Sequence, residues 1–260
     1  MILPHNTRSY LAIDIGNTRT KIAFFADKES ILANHPPARQ WVTPTQSLAE
    51  TLNEILSILP PNVLLTVGYM STASVINISV WECWNQMETP PHFCLINADF
   101  AFPIKNLYAT PKTLGTDRIV AVIGALASVR DCPVLVVDAG TAITYDFANQ
   151  KGEYLGGGIA AGIRMRFRAL HEFTARLPLV ETVEHTDLVG NSTLNSMMSG
   201  VVNGTIAEIQ GIINQYKTLF GAETRIFLTG GDAVFLAEKL QLIDSIEADL
   251  VLKGIGQLLV

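Results

Sequence analysis

The chain has few of the residues that mark secreted, metal-binding or membrane-spanning proteins. Its three cysteines, Cys83, Cys94 and Cys132, are widely spaced and form no Cys-x-x-Cys pair, which is typical of reduced core residues rather than of disulfides or metal ligands. The five histidines have no metal-ligand spacing. No apolar run reaches the length of about 18 residues that a membrane span needs, and residues 1–8 lack the apolar core of a signal peptide. We therefore expect a cytoplasmic protein with no membrane partner.

Charged residues are also scarce, at 16% of 260 residues, whereas hydrophobic residues make up 48%. A chain of this composition and length can bury a large core, in one large domain or two small ones. Its net charge of −6 argues against a nucleic-acid partner, because neutralising phosphates needs a basic surface. One basic run is present, and in an acidic chain we interpret it as a solvated or interface face of a helix. The run consists of Arg164, Arg166, Arg168, His171 and Arg176.

Neither a P-loop nor a Gly-x-Ser-x-Gly elbow occurs, but residues 11–25 predict a hairpin that could bind phosphate. An apolar strand ends at Asp14, a tight turn follows from Gly16, and a second strand leaves past Lys21. Gly16 can take a positive φ, and the N–H groups of such a turn can form an anion-binding nest. Asp14 could hold a metal-bound water, and Lys21 adds a positive charge. An ordinary hairpin turn explains the same residues, since Asn and Gly are common there.

Apolar strands and helices alternate along the chain, which predicts a layered α/β fold. A helix that begins near Thr116, with Thr116 as its N-cap, is apolar on nearly every face and is therefore expected to be buried. The other helices are expected at residues 48–59, 75–87, 163–176, 193–220 and 232–240. Besides the hairpins, strands are expected at residues 30–34, 62–68, 92–96, near 154, and at 225–229 and 250–252, with a loop through Pro36, Pro37 and Pro44.

The hairpin pattern returns in the second half of the chain. Residues 134–145 again form an apolar strand, an aspartate at Asp138, a turn at Gly140-Thr141 and a second strand. The two aspartates are 138 − 14 = 124 residues apart, nearly half the chain, which indicates a tandem duplication of one α/β unit. A Gly-Gly turn at Gly230-Gly231 opens a later helix. Two such hairpins facing each other, with the Gly-Gly turn beside the adenosine, are suited to a nucleoside triphosphate.

The sequence resembles the type III pantothenate kinases, which belong to the acetate and sugar kinase/Hsp70/actin superfamily. The resemblance runs from about Tyr10 to the end and departs from the family at Ala161, where members often have Pro. It implies an α/β fold of two tandem ribonuclease H-like (actin-like ATPase) domains, residues 1–117 and 118–260, with a cleft between them. The motifs that carry it are Asp14-x-Gly16-Asn17-Thr18-x-x-Lys21, Gly115-x-Asp117-Arg118, Asp138-x-Gly140-Thr141-Ala142, Gly156-Gly157-Gly158-Ile159, Asn191-Ser192-Thr193 and Thr229-Gly230-Gly231.

By this resemblance the protein is expected to phosphorylate pantothenate with ATP, giving 4′-phosphopantothenate in the first step of coenzyme A biosynthesis. Asp117 would be the general base that takes the proton of the attacking alcohol. The helix dipole alone would also favour an acidic residue at this position. The resemblance further implies Mg²⁺ with ATP, activation by K⁺ or NH₄⁺, and a homodimer. Two alternatives stay open: a kinase of another small hydroxyl or carboxylate compound, such as a sugar or acetate, and a non-catalytic regulator like the Bvg accessory factors.

The resemblance assigns site residues as follows. Asp138 would bind the monovalent cation and Asp14 the magnesium ion through water, although Asp138 could instead cap its own turn. Arg118 would orient the substrate carboxylate, unless it only forms a salt bridge, and Thr193 could come from the dimer partner. The expected ATP contacts are Asp14, Ile15, Gly16, Asn17, Thr18, Arg19, Thr20, Lys21, Thr141, Gly230 and Gly231. The expected substrate contacts are Tyr108, Gly115, Thr116, Asp117, Arg118 and Thr193.

Overall fold

A computed structural model describes residues 8–60, 62–71, 81, 84, 87–181 and 186–260. The chain forms two compact units: unit 1 comprises Met1–Arg130 and Asp249–Val260, and unit 2 comprises Asp131–Ala248. The predicted domains, 1–117 and 118–260, stay a prediction. The contacts within each unit nevertheless place the helix that follows Gly115, and the last residues of the chain, with unit 1.

The described strands and helices alternate as the sequence predicts. The strands are β1 (Arg8–Ile15), β2 (Arg19–Phe25), β3 (Arg39–Pro44), β4 (Leu64–Ser71), β5 (His92–Leu95), β6 (Val134–Ala139), β7 (Ala142–Ala148), β8 (Tyr154–Ala161), β9 (Arg225–Thr229) and β10 (Ser245–Ile246). The helices are α1 (Lys28–Leu32), α2 (Leu48–Ile58), α3 (Thr116–Leu126), α4 (Ile163–Glu172), α5 (Thr193–Phe220), α6 (Ala233–Ala237) and α7 (Leu250–Gln257). In this part of the chain, none of the helices combines the length and apolar character that crossing a membrane requires.

Each unit is built on one five-stranded sheet, and the two sheets have the same topology. The strand order is β3-β2-β1-β4-β5 in unit 1 and β8-β7-β6-β9-β10 in unit 2. In both, each of the first three strands of the order is antiparallel to its neighbour among the three, and the last two strands run parallel to the central strand. The repetition confirms the predicted α/β fold with two tandem copies of one unit.

The sheet of unit 1 is covered on both faces. On one face, α2 buries Leu48, Leu52 and Ile55, whose spacing forms one apolar stripe of a helix. On the other face, α7 and the residues after it approach so closely that a Cβ added to Gly68 would lie 3.0 Å from a methyl group of Ile255 and 2.7 Å from one of Leu259. Packing on both faces buries most of β1 and β2, whereas the turn between them is exposed at Asn17, Thr18 and Arg19.

Helix α3 is held in unit 1 by close backbone contact with α7. A Cβ on Gly124 would collide with the Leu250 carbonyl, and a Cβ on Gly254 would collide with the Val120 carbonyl. Residues 118–125 are all buried, as the apolar pattern of the helix predicts. Because α3 has no freedom to slide, the acidic first turn that contains Asp117 has a defined position.

Three predictions about elements of unit 1 are wrong. Residues 30–34 lie largely in α1 rather than in a strand, because the Asp27 side chain caps that helix by accepting a hydrogen bond of 2.7 Å from the Ser30 N–H. The predicted proline loop contains the edge strand β3, whose last residue, Pro44, lies where a missing N–H costs least. The predicted strand at 250–252 is the start of α7, since a short apolar run suits either structure.

Three further predictions concern the helix at 75–87, the cysteines and the long helix α5. The helix predicted at 75–87 lies almost wholly outside the described residues, as does Cys83. Cys94 and Cys132 are free, as predicted. Helix α5 runs without a break for 28 residues, and open space faces the positions where a Cβ would be added to Gly200, Gly204 and Gly211.

Candidate active site

The predicted phosphate turn of unit 1 is a rigid hairpin end. Asp14 and Lys21 are direct cross-strand neighbours, and the Gly16 N–H donates a hydrogen bond of 3.1 Å to the Arg19 carbonyl. A Cβ on Gly16 would lie 2.8 Å from that carbonyl oxygen, so the turn needs glycine. Asn17, Thr18 and Arg19 are exposed at its tip, where a ligand can reach them.

A residue that the sequence did not single out braces this turn. The Thr45 hydroxyl donates to the Gly16 carbonyl at 2.7 Å, and the Thr45 N–H donates to the Thr18 carbonyl at 3.0 Å. The hydroxyls of Thr45 and the buried Thr20 lie 3.2 Å apart. Thr45 follows the predicted loop and has no motif of its own, so only the pairing of β2 with β3 could reveal its role. Thr20 therefore supports the turn from within, and Ile15 is a core residue.

Asp14 and Asp117 influence each other although they are far apart in the sequence. Burial raises the pKa of the Asp14 carboxyl to about 6, the positive charge of Lys21 opposes this rise, and the negative charge of Asp117 adds to it. Unit 1 therefore brings the predicted phosphate turn near the predicted base. A cation beside Asp14 would offset the free-energy cost of burying the negative charge of Asp14. It would also reduce the repulsion between the two carboxylates.

The Gly-x-Asp-Arg motif forms one compact turn at the start of α3. Gly115 is the N-cap and Thr116 the first helical residue, so the cap lies one position earlier than predicted. The Asp117 carboxylate accepts a hydrogen bond of 3.0 Å from the Arg118 N–H and folds back over Gly115. A Cβ on Gly115 would lie only 2.5 Å from the carboxylate oxygen, so this rotamer of Asp117 requires glycine at 115.

Arg118 and Tyr108 are also brought together. The Arg118 guanidinium carbon lies 5.9 Å from the centre of the Tyr108 ring, within the range of a cation–π contact. Arg118 is only 8% exposed, so its planar group is held in place rather than free in water. The Asn106 side chain positions the loop by accepting a hydrogen bond of 2.9 Å from the Tyr108 N–H. The sequence analysis did not identify Asn106.

A cavity of about 250 Å³ opens in unit 1 beside the start of α3. Its walls include Phe100, Phe102, Asn106 and Thr116. Only Thr116 belongs to the predicted substrate contacts, so the cavity adjoins the Asp117 turn rather than being formed by it. No motif in the sequence indicated this cavity.

In unit 2, the Gly-Gly turn packs directly against Asp138. Gly230 has a φ of +97°, which favours glycine, and a Cβ there would collide with the Asp138 carboxylate and the Ala139 carbonyl. The Asp232 N–H donates a hydrogen bond of 2.9 Å to the same Ala139 carbonyl. The structure thus unites two predicted elements that are about ninety residues apart. Gly231 is exposed beside them, with open space around its Cβ position.

The Thr141 turn is supported from behind by another glycine. The Gly140 N–H donates to the Ala142 carbonyl at 3.0 Å, and the Gly162 N–H donates to the Thr141 carbonyl at 3.1 Å. A Cβ on Gly162 would collide with the carbonyls of Gly140 and Thr141. Thr141 itself is exposed. The role of Gly162 in this turn was not predicted from the sequence.

The remaining predicted contact, Thr193, is the exposed first residue of α5. The Ser192 hydroxyl before it caps the helix by accepting a hydrogen bond of 3.2 Å from the Asn195 N–H. Within the described part of the chain, no cluster of three or more His, Cys, Asp or Glu side chains could hold a metal ion. Mg²⁺ bound with a nucleotide usually takes several of its ligands from phosphates and water rather than from protein side chains. The metal roles of Asp14 and Asp138 stay predictions.

The family model for type III pantothenate kinase matches residues 10–215. The chain belongs to the type III pantothenate kinase family. Two members of this family, from Flavobacterium johnsoniae and Phocaeicola vulgatus, are respectively 37% identical over 250 residues and 36% identical over 254 residues. These alignments cover 95% and 96% of this chain, and 96% and 97% of the relatives.

Solved structures agree on the fold of the family. A Campylobacter jejuni protein described as a Baf family transcriptional activator has a TM-score of 0.56 at 21% identity, over 95% of this chain and 96% of its own. A glucokinase from an Antarctic psychrotroph has a TM-score of 0.52 at 10% identity, over 98% and 99%. At such low identity both similarities show the α/β fold of actin-like ATPases and sugar kinases, and neither transfers a regulatory or sugar-kinase role.

Proposed function

We propose that this protein phosphorylates pantothenate with ATP, giving 4′-phosphopantothenate for coenzyme A biosynthesis. One observation carries the proposal: in a chain of the pantothenate kinase family, the Gly115-x-Asp117-Arg118 turn joins a carboxylate, a buried guanidinium and the Tyr108 ring at the fixed start of α3. These groups suit an acceptor that has a hydroxyl to deprotonate and a carboxylate to bind.

Asp117 would act as the general base. As the primary hydroxyl oxygen attacks the γ-phosphorus, its proton passes to the Asp117 carboxylate; the new P–O bond forms while the bond to the bridging oxygen breaks, releasing ADP. The Arg118 N–H donates a hydrogen bond of 3.0 Å to one oxygen of the Asp117 carboxylate and so holds this group in place. The turn also fixes the direction in which the carboxylate points, and such positioning accounts for much of catalysis in phosphoryl transfer.

Arg118 would bind the carboxylate of pantothenate. A guanidinium presents its N–H donors in a planar fork that matches a carboxylate, and burial strengthens that pairing. The contact with Tyr108 limits the orientations of the fork before substrate arrives. A neutral sugar offers no group for such a fork, so Arg118 favours pantothenate over a sugar acceptor. Thr116 and Thr193 would supply hydroxyl contacts to the same substrate.

ATP would be bound with Mg²⁺, which supplies a counter-charge to the phosphates. In unit 1 the Gly16-Asn17-Thr18 turn and Lys21 would contact phosphate oxygens, and Asp14 would hold a water of the metal ion. In unit 2 Thr141 and the Gly230-Gly231 turn would contact the nucleotide. Asp138, packed against that turn, would bind K⁺ or NH₄⁺.

We also propose that the enzyme is a homodimer. The long helix α5 exposes Gly200 and Gly204, and nothing in the described chain occupies the space above them. Glycines at these positions cost helix stability but let a second helix approach closely. Thr193 begins the same helix, so a partner that packs along α5 would place its own Thr193 near this face.

An assay with a panel of possible phosphoryl acceptors tests the proposed function directly. Purified protein is incubated with ATP, Mg²⁺ and K⁺ and with pantothenate, glucose, N-acetylmannosamine, acetate or no acceptor, and both ADP and phosphorylated product are measured. We expect product with pantothenate alone. Turnover of a sugar or acetate without turnover of pantothenate would contradict the proposal, and ADP release that no acceptor stimulates would contradict it as well.

A further inference from the structure

The basic run at the start of α4 contains two arginines in opposite environments. Arg168 pairs with Glu172 at 2.8 Å on the same helix, and their side chains are 74% and 50% exposed. Such a pair matches the solvated face that the sequence predicts. Arg166, two residues earlier, is only 24% exposed, and the carboxylate it pairs with, Glu208, belongs to another helix. The basic run is therefore not a single surface.

Arg166 connects three elements of unit 2. Its Nη2 donates a hydrogen bond of 2.7 Å to the Glu208 carboxylate of α5, and its Nε donates one of 2.8 Å to the Ala161 carbonyl at the end of β8. The other oxygen of Glu208 accepts a hydrogen bond of 3.2 Å from the Tyr145 hydroxyl of β7. Burial and the Glu208 charge raise the pKa of Tyr145, so the tyrosine remains a donor. Charge-assisted bonds of this kind are short and directional.

The carbonyl that Arg166 holds belongs to the residue directly before Gly162. Gly162 supports the Thr141 turn through the hydrogen bond from its N–H to the Thr141 carbonyl, with no room for a side chain between them. The end of β8, the start of α4 and the turn are therefore one rigid assembly. Its outer support is the pair formed by Arg166 and Glu208.

We propose that Arg166 is a positioning residue for the nucleotide, and that it holds the Gly162 backbone behind the Thr141 turn with the help of Glu208. The inference rests on the proposed role of that turn in ATP binding. Arginine suits the task because two nitrogens of one planar group bind the carboxylate and the carbonyl at once, which the single nitrogen of lysine does not do in the same geometry. Loss of the pair lets the turn shift, and a small misplacement of binding groups costs affinity.

The test compares Arg166→Gln, Arg166→Lys and Glu208→Gln with the matched control Arg168→Gln on the same helix. Binding of ADP with Mg²⁺ is measured by calorimetry, which needs no acceptor. It therefore tests this inference even if pantothenate proves not to be the substrate, whereas the acceptor panel on the unaltered protein tests the proposed function. We expect Arg166→Gln to weaken ADP binding about tenfold. Arg168→Gln should bind ADP as the unaltered protein does.

Two further results separate positioning from a general loss of structure. The KM for ATP should rise about tenfold in Arg166→Gln while the KM for pantothenate changes less than about twofold, because Arg118 and Tyr108 belong to unit 1. The variant with both Arg166→Gln and Glu208→Gln should be no weaker than Arg166→Gln alone, since both changes break one contact. Arg166→Lys should recover only part of the affinity.

Equal ADP affinity of Arg166→Gln and Arg168→Gln would overturn the inference, and so would full affinity in Arg166→Lys. Equal increases in both KM values would overturn it too, because they would indicate a general structural effect. Circular dichroism establishes that each variant is folded. If Arg166→Gln does not fold, the same criteria apply to Glu208→Gln, which keeps the size and hydrogen-bonding capacity of the side chain.

Discussion

Asp14 and Asp117 are 117 − 14 = 103 residues apart in the chain, yet the charge of Asp117 helps to raise the pKa of Asp14. Asp14 lies next to the last residue of β1, and Asp117 lies in the first turn of α3, the helix that packs against α7. Their proximity gives unit 1 two carboxylates with different environments. Asp14 is strongly desolvated, and Asp117 accepts a backbone hydrogen bond in a half-exposed turn. This difference is consistent with the two proposed roles, in which Asp14 holds a water of the metal ion and Asp117 is the base.

Replacing Asp117 by Asn should abolish turnover and leave the fold intact. The amide keeps the shape of the side chain but cannot accept the hydroxyl proton, so kcat should fall about 10²–10⁴-fold. Steady-state kinetics measures this loss, and calorimetry should show ADP binding unchanged. Asp99→Asn, an exposed change in the same unit, is the control. An Asp117→Asn enzyme with normal kcat would remove Asp117 from the role of base.

The raised pKa of Asp14 predicts how stability depends on pH. A carboxyl whose folded-state pKa of about 6 exceeds its unfolded value of 3.8 binds more protons in the folded state between these values, so it lowers the free energy of unfolding as pH rises through them. The effect can reach about 3 kcal/mol, since each pKa unit is worth about 1.4 kcal/mol. Asp14→Asn should remove this contribution to the pH dependence of the free energy of unfolding. Urea unfolding of both proteins at pH 4 and pH 7 measures the difference.

Asp27 provides the control of opposite sign for this pH experiment. The hydrogen bonds from Ser30 lower the pKa of Asp27, so its contribution to stability is present above its unfolded pKa and is lost as the pH falls. Asp27→Asn should therefore reduce stability at neutral pH and lose its effect in acid. If Asp14→Asn and Asp27→Asn changed the pH dependence in the same direction, the assignment of burial at Asp14 would be wrong.

The two adjacent glycines of the Gly-Gly turn should respond differently to alanine. Gly230→Ala places a side chain at positive φ and against the Asp138 carboxylate, which should lower the free energy of unfolding by about 1–3 kcal/mol. Gly231→Ala meets no neighbouring atom and should leave the free energy of unfolding nearly unchanged. Chemical unfolding of both variants gives the comparison. Equal stability of the two would show that the turn relaxes at little cost.

The proposed dimer makes a prediction about α5. Within one chain, Gly204→Ala should stabilise the helix by up to about 1 kcal/mol, because the added methyl group meets nothing and alanine is the better helix former. In a dimer packed along this face, the methyl group should weaken association. Sedimentation equilibrium of Gly204→Ala, with exposed Gln215→Ala on the same helix as control, distinguishes the two cases. A dimer of unchanged strength would move the proposed interface away from Gly204.

Local sequence signals predicted the elements whose stability is mostly local. The tight turns at Gly16 and Gly140, the amphipathic α2 and the apolar α3 follow from residues close together in the chain. The errors fell where a short segment suits two structures. Residues 30–34 could form a strand or belong to a helix that Asp27 caps. Residues 250–252 could form a strand or the start of a helix. Packing decided the second case, because α7 fits against α3 and the sheet through glycine contacts.

The sequence by itself determined that this chain carries two copies of an α/β unit, an Asp-Gly turn in each, and the motifs of the type III pantothenate kinases. These features depend only on which residues follow one another within a strand or a turn, so they can be read without knowing the tertiary contacts. Only the tertiary structure decided that Asp117 lies near Asp14, that Gly230 packs on Asp138, and that Arg166 and Arg168 have different partners. Each of these depends on contacts between distant segments, and neighbouring residues with the same side chain can make entirely different contacts once the chain folds.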